Sequence, residues 1–195
     1  DEFSGDARAR FTNQTHREWI YRQAFQMGRH VIGYEVQKVL AVVDWFAAEN
    51  AKQPIVAPIA VTGYHEGGLI AFYSAALDTR IQAALVSGYF TKRNRVWEEP
   101  IYRNLFGLLE QFGDAEIASL ISPRALVIEH SKTTKLVGPP KARPGRSSGA
   151  APGILATPST ANVLAEHQRA KELSAKGSRI LLITNDGKTT LETFG

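Results

Sequence analysis

The chain has 195 residues, 44% of them apolar and 22% charged, with a net charge of +4 and no cysteine. That is the balance of a globular domain long enough to bury a core, and the lack of cysteine excludes disulfides and thiolate metal sites. No run of about 18 apolar residues occurs, so no membrane span is expected, and the mild, locally concentrated basic excess predicts no nucleic-acid partner.

Residues 1–14 are polar and read as a loop. Thr15 with Glu18 three residues on forms a capping-box pattern, which predicts a helix over 15–28 carrying Trp19, Ile20, Tyr21, Phe25 and Met27. Val36, Val39, Leu40, Val43 and Phe46 repeat at three and four and predict a second helix over 31–49. The aromatics of both helices are expected in the core.

Pro54 and Pro58 bracket the entry to a strand, read from the apolar stretch Ile55 to Val61. Val61-Thr62-Gly63-Tyr64-His65-Glu66-Gly67-Gly68 follows, and then a helix pattern from Leu69 to Leu77. Ile81 to Val86 reads as a second strand and 91–100 as a charged loop. Ile101, Leu105, Leu108, Leu109 and Phe112 predict a helix over 100–112, and Asp114 is placed as the cap of a short helix from Ala115 to Ile121. Arg124 to His130 reads as a third strand. Residues 131–158 are rich in Pro, Gly and Ser, with Lys132, Lys135, Lys141, Arg143 and Arg146; they are expected to be an irregular basic loop and the least ordered internal segment. Ser159 to Ala175 predicts a helix and Arg179 to Thr184 a fourth strand. Strand–helix alternation implies one α/β domain over 1–195, with a mostly parallel sheet of about four strands in sequence order and helices expected on both faces.

The stretch from Gly63 to Gly68 carries the chemistry. A strand turning sharply into a helix through small residues has the form of a nucleophile elbow, G-x-S-x-G, with His65 where the serine would stand. An ordinary strand–glycine turn–helix junction is the competing reading. Glycines two before and two after His65 are expected to remove Cβ atoms that would clash.

With Asp78-Thr79-Arg80-Ile81 to Phe90 and Ser122-Pro123-Arg124 to His130, the elbow resembles the C-terminal half of an α/β-hydrolase, near the dienelactone hydrolase and acetyl xylan esterase-like groups. The resemblance implies esterase ancestry, acting on a small-molecule ester or an acetylated carbohydrate, without cofactor or metal. It places His65 in the nucleophile slot and the backbone N–H of Glu66 at an oxyanion position, and it sets Glu129, beside His130, at the strand end that delivers the acid. It also implies that four strands lie before Asp1, so that a missing N-terminal half or another chain covers the edge of the first strand. No histidine follows His167, so the late histidine of the family is unmatched. His65 can equally serve the turn alone, because histidine tolerates left-handed backbone, and Glu129 and His130 can be plain strand-end residues. A metal shared by His65, Glu66, Glu129 and His130 is not expected, since two strand spacings separate the pairs by about 10 Å. Two functions stand: an esterase-type hydrolase with a degenerate elbow, or a non-catalytic domain of the same fold that binds a ligand or packs within a larger protein. The compartment is left open by these residues.

Overall fold

The structure is a computed structural model that describes residues 12–184 apart from 140, 143, 146 and 147. Arg143 and Arg146 of the basic loop, and the segment after Thr184, lie outside the described residues. Four strands, β1 (Ile59–Tyr64), β2 (Ile81–Ser87), β3 (Ala125–His130) and β6 (Arg179–Thr184), form one sheet in the order β1-β2-β3-β6. Every pairing is parallel, with Val61 beside Ala84, Ala84 beside Leu126, and Leu126 beside Ile180. The expected sequential parallel sheet is therefore present.

Five α-helices accompany it among the described residues: α1 (His16–Gln26), α2 (Val31–Asn50), α3 (Glu66–Leu77), α4 (Asp114–Ile121) and α5 (Thr160–Leu173). Thr15 caps α1, its hydroxyl accepting from the Glu18 N–H at 3.1 Å. His30 caps α2 through Nδ1, which accepts from the Ile32 N–H at 3.1 Å.

Among the described residues, helices cover one face of the sheet rather than two. Helices α2, α3, α4 and α5 lie side by side in one layer. A parallel sheet whose strands advance in sequence order, joined by right-handed crossovers, must place every crossover helix on the same side. The strand faces agree. On the helix side, Ala84, Val86, Leu126, Ile128 and Ile180 are buried. On the other side Thr62 and Leu181 are exposed, Leu85 and Val127 half-buried, and Ile183 partly open.

Of the aromatics of α1 and α2, Tyr21 enters the core as expected, but most do not. Trp19, Phe25, Trp45 and Phe46 are exposed, while Tyr21, Ile32, Val36 and Val43 carry the packing. Nor is 100–112 one helix. It holds two 3₁₀ turns, Ile101–Arg103 and Leu108–Glu110, separated by Gly107 at φ 77°. That left-handed glycine breaks the helical path. Asp114 is the first residue of α4, not its cap; Gly113 holds the cap position and its N–H is met by the Glu116 carboxylate at 2.9 Å.

Within 131–158, β4 (Leu136–Gly138) and β5 (Gly153–Leu155) pair antiparallel as a short ribbon. Composition alone did not predict it. The Pro-Arg step before β3 also acquires a role: Arg124 Nη1 donates to the carbonyls of Ala75, Asp78 and Ile81 at 2.7, 3.0 and 2.7 Å. It satisfies chain ends after α3 that would otherwise lack partners.

Candidate functional site

The 63–68 turn, expected as an elbow, joins β1 to α3. His65 has φ 55° and ψ −115°, the one positive φ among the described non-glycine residues. It is tied on both sides: its N–H donates to Ser87 O at 2.9 Å, and its carbonyl accepts from the Leu69 N–H at 3.1 Å. Such backbone persists only where the surrounding structure over-determines it, and it clusters at functional sites.

The glycine requirement differs from the symmetric expectation. A Cβ on Gly63 would lie 2.0 Å from Gly67 O, and one on Gly68 would lie 2.8 Å from Ser87 O. A Cβ on Gly67 would meet nothing within 4 Å. Gly63 and Gly68 thus permit the close passage of strand and helix, and Gly67 does not.

A chain of alternating charges runs beneath the elbow. Arg17 pairs with Glu35 at 2.6 Å and approaches Glu66 at 3.9 Å. Arg103 donates to Glu66 and Glu99, and Arg93 to Glu99 at 2.7 Å and Asp114 at 3.0 Å. The Arg93 guanidinium also lies 3.8 Å from the centre of the Tyr89 ring. Buried charges of this kind are tolerated only when paired. Burial pushes Glu99 up, but Arg93 and Arg103 prevail and hold it below the usual carboxylate range. Asp114 goes the other way, raised by burial against the pull of Arg93. Burial likewise pushes the Tyr73 hydroxyl up to about 12.

His65 borders a cavity of about 250 Å³ whose wall includes Lys92, Arg93, Arg95, Glu98, Glu99 and Arg103. Burial, then the Arg103 guanidinium, lower the His65 pKa, opposed by Glu66 and Glu99. Both causes favour the neutral ring.

Of the four residues singled out in the sequence, His65 and Glu66 stand together at the elbow. Glu129 and His130 end β3 and do not line this cavity. Glu129 is buried beside Ser87 in the sheet register, and its carbonyl accepts from the Gly88 N–H at 3.0 Å. His130 is spent on the chain, its Nε2 2.8 Å from Pro158 O. Among the described residues no group of three or more His, Asp or Glu side chains gathers to hold a metal. Sequence reasoning missed Arg93, Glu99, Arg103 and Asp114. Arg93 and Glu99 fell in 91–100, which read as a charged loop, Arg103 in the predicted helix over 100–112, and Asp114 read as a helix cap.

No protein-family profile matches the chain. Its fold is a partial α/β-hydrolase fold: it superposes with a TM-score of 0.60 on a "putative acetyl xylan esterase" of Bacteroides fragilis NCTC 9343, at 13% identity, over 92% of this chain and 43% of that one. A glucuronoyl esterase from Solibacter usitatus aligns over 82% of this chain and 46% of its own, with a TM-score of 0.42 and 11% identity. In sequence, the chain is 28% identical over 128 residues to the protein of Bacillus subtilis (strain 168) named "Putative hydrolase YtaP", covering 61% of this chain and 42% of that protein. It spans less than half the length of each of these proteins.

Proposed function

We propose that this chain is part of an α/β-hydrolase domain of esterase lineage, with a degenerate elbow that does not perform serine-esterase turnover. The observation that carries the reading is His65 itself, held in elbow backbone at the head of α3 and bordering the cavity. The apex offers an imidazole where that chemistry needs a hydroxyl with an adjacent base. The lineage rests on the shared fold and on the hydrolase named in Bacillus subtilis. A small ester or an acetylated carbohydrate is the substrate class it implies for the ancestral site.

In this reading Glu66 contributes a backbone N–H at the oxyanion position and a carboxylate that anchors Arg103. Glu129 occupies the acid position, and His130 fixes the 131–158 segment. The open sheet face, with Leu181 and Ile183, and the free edge of β1 are covered in the longer protein by its other part or by another chain. A parallel sheet is ordinarily buried on both sides.

The test uses the complete protein with a fluorophosphonate probe and a short-chain p-nitrophenyl ester. The expected result is no labelling and no hydrolysis above background. Ester hydrolysis that disappears in His65→Ala would overturn the reading and make His65 the nucleophile.

A further inference from the structure

Two side-chain nitrogens at the elbow cavity, the Arg103 Nη2 donor and the His65 Nε2, lack hydrogen-bond partners among the described residues. Arg103 is 8% exposed. Its Nε donates to Glu66 Oε1 at 2.7 Å and its Nη1 to Glu99 Oε2 at 3.0 Å. Its Nη2 is buried and has no hydrogen-bond partner among the described residues, and the same holds for Nε2 of His65. Both side chains line the one cavity of about 250 Å³. A buried guanidinium N–H left without an acceptor is costly, and such orphans are few in folded proteins. The electrostatics point the same way. Lys92, Arg93, Arg95 and Arg103 outnumber Glu98 and Glu99 on the wall, and the 12-residue helix α3 begins at Glu66, directly after His65. Its N-terminal end carries a partial positive charge.

We infer that this cavity binds a small carboxylate, one oxygen of which accepts from Arg103 Nη2 while the His65 imidazole lies against the same group. A monoanion fits better than a phosphate. Glu66 and Glu99 already hold two nitrogens of the guanidinium, so one N–H edge is left to offer, and a dianion would be repelled by two nearby carboxylates. The inference rests on reading the His65 elbow as the site, but not on any turnover there.

The test is a titration of the complete ¹⁵N-labelled protein with sodium acetate at constant ionic strength, following the His65 ring nitrogens by NMR. Acetamide serves as the neutral isostere and inorganic phosphate as the dianion. Acetate is expected to move the His65 resonances saturably, acetamide not at all, and phosphate only at much higher concentration. Arg103→Lys keeps the charge but loses the fork, and it should weaken acetate about tenfold. Lys52→Ala, which removes an exposed charge beyond the end of α2, should leave acetate binding unchanged. Equal responses to acetate and acetamide, tighter binding of phosphate, or an unmoved His65 would each overturn the inference. Should Arg103→Lys fail to fold, the three ligands on the unmodified protein decide the matter alone. Fluorophosphonate labelling is a separate readout, so failure of carboxylate binding and failure of the non-catalytic reading are told apart.

Discussion

Arg103 Nε donates to Glu66 Oε1 at 2.7 Å, and this bond fastens the 3₁₀ turn at Ile101–Arg103 to the first residue of the elbow helix. The same guanidinium holds Glu99. Removing it leaves Glu66 with Arg17 at 3.9 Å and Glu99 with Arg93 at 2.7 Å as their remaining cations in a largely dry setting. Arg103→Ala is expected to cost about 3–5 kcal/mol, the range for breaking a buried ion pair by deleting one partner. Urea unfolding of the complete protein measures it, with Lys52→Ala as the exposed comparison. Equal midpoints for the two variants would show that the network contributes no stability.

The two outer glycines of the elbow should behave oppositely. Gly63→Ala drives a Cβ to 2.0 Å from Gly67 O, so the turn cannot close, and a loss above about 4 kcal/mol or failure to accumulate in soluble form is expected. Gly67→Ala meets nothing and lies in the first turn of a helix. It should be neutral or stabilising by up to about 1 kcal/mol. A thermal melt of each variant checks the contrast.

His65→Gly should not destabilise the fold. The φ of 55° is unfavourable for any residue with a Cβ, and its relief is worth about 1–3 kcal/mol, offset in part by the greater chain entropy of glycine. A variant markedly less stable than the parent would mean that the imidazole packs more than the backbone strains.

Stability should fall as pH drops below about 6.5. Burial is the leading cause that lowers the pKa of His30, His65 and His167. Arg103 and Arg17 add to it at His65, against Glu66 and Glu99. The unfolded chain then binds more protons than the folded one between the depressed folded pKa values and the ordinary value. Stability is therefore complete above that ordinary value and declines as pH falls through the window. Urea midpoints at pH 7.5 and 5.5 test this, and His65→Gln should reduce the difference. A flat profile across that range would contradict it.

The outer edge of β1 has no strand partner among the described residues. Ile55 and Val56 just before it are exposed, as are Trp45 and Phe46 on α2. Open apolar edges invite pairing with another chain. The 195-residue chain alone should elute well above its 21.4 kDa mass, and Ala60→Lys on the exposed side of β1 should reduce the association. A concentration-independent monomer would remove the case for a covering partner.

Most strand and helix positions, the parallel order and the tight strand-to-helix turn at His65 were legible in the sequence because each rests on short-range signals. Apolar runs, three-and-four spacing and glycines two residues on either side of His65 act within a few residues of themselves. The segment 100–112 was misread for the same reason: its apolar spacing is helical, but Gly107 takes a left-handed turn that spacing does not report. The Arg103–Glu66 pair spans 37 residues and Ala115–Glu166 spans 51, so no local pattern could announce them. Tertiary structure alone decided that Gly68 rather than Gly67 sits at the tight crossing, because the carbonyl it faces belongs to Ser87 on the neighbouring strand. It alone turned Asp114 inward to Arg93 instead of capping its helix. It also left one sheet face without a helix among the described residues: sequential strand order with right-handed crossovers carries every connecting helix to the same side, whatever the residues on the other side would prefer.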